Sequence, residues 1–226
     1  MRFAITADHR EFFTKNHYIE FEELLNRDQV ASLKKNVEET VAKRLRIPLA
    51  KLKEKSPPEV YQAGYDLWRE SDGIKKIAHK QAFAALASEL MQIIPIRYGF
   101  DQYFATTHCT GSPYDLPLSL QDISCLNPLA GALLLPLEDL ASPPTFFPMP
   151  LKMGSGLFLS PTFSLPWPQL FSTRGLCFFL IVYAKEKTSF RADSHDPHAV
   201  SLKKLGYAYN ELLKDSIHPI VLREIF

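Results

Sequence analysis

The chain has 226 residues, 46% hydrophobic and 23% charged, with a formal net charge of +1 at pH 7. Its length suits one core with an attached helical layer, and its composition excludes a largely disordered polymer. The near-neutral balance gives no general pull toward nucleic acid or acidic lipid, so neither partner is expected. The longest apolar runs, Leu129 to Leu137 and Leu176 to Ala184, have strand length and are too short to span a bilayer. Charge appears by Arg2 and Asp8, too early for a signal peptide. Cys109, Cys125 and Cys177 are odd in number, widely spaced and without a C-x-x-C pair. That usage fits a reducing, cytoplasmic location better than a disulfide framework.

Thr6 or Asp8 caps a first short helix that runs through Phe12 and Phe13 and ends near Asn16 and His17. Tyr18-Ile19-Glu20-Phe21 alternates like a strand. Asn26 or Asp28 caps a longer helix whose apolar positions Val30, Leu33, Val37, Val41 and Leu45 step by three and four along one face. Pro48 and Pro57-Pro58 interrupt the chain. Glu59 to Glu70 reads as a further helix. Ser71 or Asp72 caps the next, with Ile74, Ile77, Ala78, Leu86 and Leu90 on its face and Pro95 at its end. The basic crowd from Lys34 to Lys55 is interleaved with glutamates and reads as a solvated face.

After Pro95 the pattern turns to strands. They are expected at Ile96 to Phe100, Ser119 to Cys125, Ala130 to Leu137, Gly156 to Leu159 and Gly175 to Ala184, the last central. Polar or proline-rich loops fall at Thr106 to Pro117 and Ala141 to Pro150. Lys203 to Lys214 reads as a last helix or an irregular tail, and Ile217 to Leu222 is apolar enough to dock on the core. Helices ahead of many short strands indicate α+β, with the helices packed on one sheet of a sandwich or barrel. The expected organisation is one domain over residues 1–226. It comprises a mainly helical layer (1–94), a strand-rich core (95–190) and a C-terminal tail (191–226).

The order of these pieces resembles the phytanoyl-CoA dioxygenase-like branch of the Fe(II)/2-oxoglutarate oxygenases. The opening helix, Tyr18 to Phe21 and the helix after Asn26 are similar to its first module, and Asp66-Leu67-Trp68-Arg69-Glu70-Ser71 to its middle helices. Arg97 to Gln102 resembles the strand before its metal site. Gly156 to Pro161 resembles the strand leading to its second metal histidine, and Arg174 with Cys177 to Tyr183 its final strand. The resemblance implies a double-stranded β-helix, the cupin-like jelly roll. It also implies iron held by His-x-Asp and a distant His, with an arginine pairing the far carboxylate of 2-oxoglutarate. Carried over, His-x-Asp falls on Leu120-Gln121-Asp122, the second histidine at about Ser164 and the co-substrate arginine on Arg174. Only Asp122 keeps a ligand identity, and Arg174 keeps the anchor.

Two function classes follow. A degenerate iron site implies a non-catalytic protein that binds a small molecule or partner protein, with neither iron nor 2-oxoglutarate expected. An enzyme with atypical ligands would instead use Fe(II) and 2-oxoglutarate as cofactors. A metal-responsive regulator is a third class, without a helix-turn-helix or basic stripe to carry it. His195-Asp196-Pro197-His198 has ligand types at close spacing but follows the last central strand, and reads as a polar surface turn. His108 beside Cys109 is a weaker combination. The aromatics of the C-terminal half, Phe146, Phe147, Phe158, Phe163, Trp167, Phe171, Phe178 and Phe179, read as core packing or the lining of an apolar pocket. No G-x-S-x-G, P-loop or G-x-G-x-x-G occurs.

Overall fold

A computed structural model describes residues 4–106, 111–140, 148, 152–191, 196 and 198–223. Helix α1 (Ala7–Asn16) is capped by Thr6, whose hydroxyl accepts from the His9 N–H at 3.3 Å, and it ends at His17 in the left-handed region. Strand β1 (Tyr18–Phe21) follows. Helix α2 (Arg27–Leu45) starts at Asn26, where Asn26 and Gln29 exchange side-chain-to-backbone hydrogen bonds at 2.8 and 3.1 Å. Its stripe Val30, Leu33, Val37 and Val41 is fully buried, each side chain contributing roughly 2 kcal/mol by leaving water. A 3-10 helix (Leu49–Glu54) leads to α3 (Pro57–Ala63), with proline at its first turn.

The helix expected over Glu59 to Glu70 stops early. Residues 64–66 leave it to run along strand β2 (Ile96–Ala105): Tyr103 N–H donates to Gly64 O at 2.8 Å, and Asp66 N–H to Asp101 O at 2.8 Å. A Cβ on Gly64 would lie 2.5 Å from Tyr103 O, so only glycine admits this approach. Leu67–Arg69 then forms a second 3-10 turn. The single helix expected after Ser71 is two, α4 (Asp72–Ala78) and α5 (Gln81–Met91). They are separated at His79, whose ring lies 4.6 Å from Trp68 and 4.5 Å from Tyr98 between ring centroids.

The remaining strands are β3 (Leu118–Ser119), β4 (Leu126–Pro136), β5 (Gly156–Leu159), β6 (Ser164–Leu165), β7 (Cys177–Phe190) and β8 (Ile220–Leu222). Helix α6 (Trp167–Ser172) precedes β7 and α7 (Ala199–Lys204) follows it; of the two alternatives for Lys203 to Lys214 the irregular tail holds, as turns and a bridge beyond α7. One antiparallel sheet has the order β1-β5-β4-β7-β2-β8, and β3 and β6 form a separate two-stranded ladder. The strand expected over Ser119 to Cys125 is only Leu118–Ser119 before the chain turns. Among the described residues no helix is long and apolar enough to cross a membrane.

Alternate residues of β7 feed two clusters on opposite faces. Cys177, Phe179, Ile181 and Tyr183 pack with the helices, while Phe178, Leu180, Val182 and Ala184 pack on the other side. In β2 the register shifts between Tyr98 and Phe100, and the facing parity shifts with it. Gly99 sits at this bulge, where a Cβ would meet Val182 O at 2.9 Å. The bulge puts Tyr98 and Asp101, three apart, on the same helix-side face.

That placement builds a buried polar joint. The Asp101 carboxylate accepts from Leu67 N–H at 2.8 Å, Trp68 N–H at 3.1 Å and the Tyr98 hydroxyl at 2.9 Å. Burial and the neighbouring Asp66 carboxylate push Asp101 up to about 7, against these three donors. The tail docks beside it, in line with the apolar reading of Ile217 to Leu222. The Arg69 guanidinium donates to Ile217 O at 2.7 Å, Arg97 pairs with Asp215 at 2.8 Å, and Tyr98 N–H donates to Pro219 O at 2.9 Å. His218, fully buried, faces the Tyr207 hydroxyl through Nδ1 at 2.8 Å and Arg69 through Nε2 at 3.4 Å. An arginine only donates, so Nε2 accepts and the proton resides on Nδ1.

Asp101→Ala strands three buried donors at once. Its expected cost is about 3 to 5 kcal/mol in urea unfolding; a loss under 1 kcal/mol would show that the joint is dispensable.

Candidate functional site

The β3–β6 ladder pairs Leu118 with Leu165 and Ser119 with Ser164. The Trp167 indole N–H donates to Leu118 O at 3.0 Å, and Gln121 N–H to Pro161 O at 3.0 Å. The segments to which the resemblance assigns the two histidine positions are therefore neighbours in space. Within the first, Ser119 and Asp122 close a turn: Asp122 Oδ2 accepts from Ser119 N–H at 2.9 Å and from its hydroxyl at 2.6 Å, and Asp122 N–H donates to Ser119 O at 3.1 Å. This local box ends the strand, which alternation alone had extended.

Leu120 is fully buried in the same cluster as Leu165, Trp167 and Phe171. Ser164 and Asp122 are exposed. Arg174 lies exposed in the turn between α6 and β7, with no ion pair or hydrogen bond among the described residues. Iron in a facial triad needs two imidazoles and a carboxylate. Leu120 offers no lone pair, Ser164 a weak hydroxyl, and Asp122 an oxygen already holding two donors. These residues do not fit the metal, and 2-oxoglutarate would meet only Arg174. Among the described residues no group of three His, Cys, Asp or Glu is placed to hold an ion.

The interior face is instead aromatic. The Tyr61 and Tyr114 hydroxyls meet at 3.1 Å, Trp167 lies 5.4 Å from Tyr114, and Phe104 stacks on Phe178 at 5.4 Å. Tyr65 stacks on His198 with centroids 4.0 Å apart. The reading of 195–198 as a polar surface turn is corrected for two of its residues: Asp196 and His198 are buried. Asp196 accepts from Cys125 N–H and His198 N–H, both at 2.7 Å, which draws the segment inward. His195, Pro197, His108 and Cys109 lie outside the described residues.

His198 is 3% exposed, and neither ring nitrogen has a hydrogen-bond partner among the described residues. Burial first, and then the Arg44 guanidinium, push its pKa down to about 3. Tyr61, on α3, and Tyr65, bridged to Gln102 beyond its end, were not singled out from sequence. Nothing in the sequence marks His198 as their stacking partner.

Sequence comparison finds no matching family model and no matching curated protein. By structure the chain is similar to the non-heme alpha-ketoglutarate-dependent carbocyclase SnoK from nogalamycin biosynthesis. The TM-score is 0.66 and the identity 13%, over 95% of this chain and 96% of that one. It is similar to the alpha-ketoglutarate-dependent epimerase SnoN from the same biosynthesis, at TM-score 0.63 and 15% identity, over 95% and 98%. HygX from Streptomyces hygroscopicus, solved with nickel and 2-oxoglutarate, gives 0.56 and 14%, over 92% and 98%. The likeness is one of fold. This chain shares with these oxygenases a mixed helix-and-strand architecture built on a curled antiparallel sheet.

Two predictions follow from the geometry. Leu120→Ala is expected to cost about 2 to 5 kcal/mol, while Ser164→Ala and Arg174→Ala stay within about 0.5; equal effects in urea titrations would contradict these burials. His198 has a folded pKa below its unfolded value of about 6.5, so its contribution is complete above that pH and is lost as pH falls toward 3. His198→Phe keeps a ring for Tyr65 and removes the titration. Between pH 7.5 and 5 the wild type should lose about 2 kcal/mol more than the variant, and parallel stability curves would show that His198 charges freely.

Proposed function

We propose that this chain is an oxygenase-fold protein of the phytanoyl-CoA dioxygenase-like branch whose jelly roll is retained and whose metal triad is degraded. On this reading it works without catalysis, binding a small molecule or a partner protein. The observation that carries the reading is Leu120: where the resemblance calls for the first histidine, a hydrocarbon side chain is fully buried in the core. Asp122 supports it, since its carboxylate is turned into the Ser119 box. The exposed Arg174 keeps a free guanidinium, suited to an anionic group on a ligand or partner.

A second reading keeps catalysis, with Fe(II) and 2-oxoglutarate held by other ligands. His198 is what favours it, as a neutral buried imidazole with both nitrogens free. Bound there, iron would activate O₂ for C–H hydroxylation. On that reading His198 would supply a ring nitrogen and Arg174 the carboxylate anchor.

Anaerobic calorimetry with Fe(II), with and without 2-oxoglutarate, separates the two. The first reading expects no tight iron and no succinate formation. Micromolar iron binding by the wild type, strengthened by 2-oxoglutarate and lost in His198→Phe, would overturn it in favour of the enzyme.

A further inference from the structure

The slot lined by Tyr61 and Tyr65 is filled by a ring from the far end of the chain. The His198 imidazole stacks on Tyr65 with centroids 4.0 Å apart and planes 14° from parallel, and it lies 5.6 Å from Tyr61. Its two nitrogens have no partner among the described residues, so the slot holds this ring by its face alone. The wall carries a second polar atom in the same condition. Gln102 lies on β2 between Phe100 and Phe104 of this cluster and is bridged to Tyr65. Its amide nitrogen donates to Tyr61 O at 2.8 Å and to Tyr103 O at 2.7 Å. Its Oε1 accepts from nothing among the described residues, although the residue is 1% exposed.

The piece of chain that delivers His198 is lightly held. Helix α7 has no side-chain cap and buries only Leu202, while Val200 is 60% exposed. The chain on either side is fixed. Arg191 N–H donates to Cys125 O at 2.7 Å, and the Tyr207 hydroxyl meets His218 Nδ1 at 2.8 Å. Gly206, at φ +86° and with open space where a Cβ would stand, is a joint just before the second anchor. A local opening can therefore lift His198 and α7 while the rest of the tail stays docked. It would also return both imidazole nitrogens to water, which offsets part of the lost burial.

We infer that the slot lined by Tyr61, Tyr65 and Gln102 binds a planar heteroaromatic molecule with a ring N–H, and that His198 closes it as an internal stand-in which the ligand displaces. The ligand ring takes over the stack on Tyr65, and its N–H supplies the donor that Gln102 Oε1 lacks. The inference rests on the non-catalytic reading above and names its ligand class.

Indole and benzofuran differ at one ring atom, N–H against O, and calorimetric titration of the wild type with each tests the inference. Indole should bind saturably, and benzofuran about fivefold or more weaker. Amide hydrogen exchange along the indole titration should speed up at Cys125, His198 and Ser201, whose N–H groups hold the displaced segment in place. It should stay unchanged at Tyr98, whose N–H holds Pro219 O in the part of the tail that remains docked. His198→Ala removes the competing ring and should tighten indole about tenfold or more, and Gln102→Leu should bring indole and benzofuran level. No indole binding by the wild type would overturn the inference, and binding by His198→Ala alone would then report an engineered cavity. Indole binding that leaves exchange at those three amides unchanged, or benzofuran binding as tight as indole, would overturn it as well. The iron titration keeps the two questions apart. Iron held by the wild type sinks the non-catalytic reading, whereas neither iron nor indole sinks this inference and leaves that reading standing.

Discussion

Burial of β7 on both faces is the constraint from which the rest of the structure follows. The strand is paired on one side with β2 and on the other with β4, and Cys177 to Ala184 are all buried. With no face left for water, each successive side chain must find hydrocarbon on alternate sides, and two clusters result. The helical layer is required by one of them, and the β3–β6 ladder with α6 by the other. Bulges at Tyr98–Phe100 in β2 and around Leu129 in β4 adjust the parity so that both partner strands serve the same two clusters.

The two faces differ in how they treat polarity. The helix side accepts buried charge because backbone and side-chain donors converge there: Asp101 receives three, and the Asp66 carboxylate is shared by Arg69 and the Trp68 indole. The other face carries few polar atoms, and those of Tyr61 and Tyr114 answer each other. A buried metal centre depends on oriented donors backed by further hydrogen bonds. Around Leu120 the surroundings are aromatic rings and branched hydrocarbon, which orient nothing polar.

Features specified by neighbours in sequence were legible in it. The caps at Thr6 and Asn26, the stripe from Val30 to Val41 and the strands β1 and β5 depend on local spacing, and they stand where that spacing puts them, whereas β7 runs on to Phe190, six residues past the expected Ala184. Features created by distant partners were not. The end of α3 is set by strand β2, some forty residues away, and the inward course at Asp196 by the Cys125 backbone. The turn at Leu120 is an intermediate case: Ser119 and Asp122 are three apart and form a recognisable box, but the alternation of the flanking residues reads equally well as strand. The proximity of the segments around Leu120 and Ser164 needs the ladder itself, and the ion pair of Lys34 needs Glu138 from just past β4.

Leu120 lies in the cluster whose Tyr61 and Tyr65 rings pack on His198, and the two residues show opposite ways of meeting it. Leu120 is an apolar side chain in apolar surroundings, a match that contributes about 1.5 to 3 kcal/mol of burial. His198 is a polar ring whose two nitrogens find no partner, and its charge is suppressed down to about pH 3. Stacking on Tyr65 and the anchoring of Asp196 offset that desolvation, but they do not give the imidazole a hydrogen bond. A histidine at position 120 would face the same surroundings without the stack, stable only with a ligand or water to satisfy its ring. Leucine there leaves no polar atom to satisfy, and the core closes around hydrocarbon.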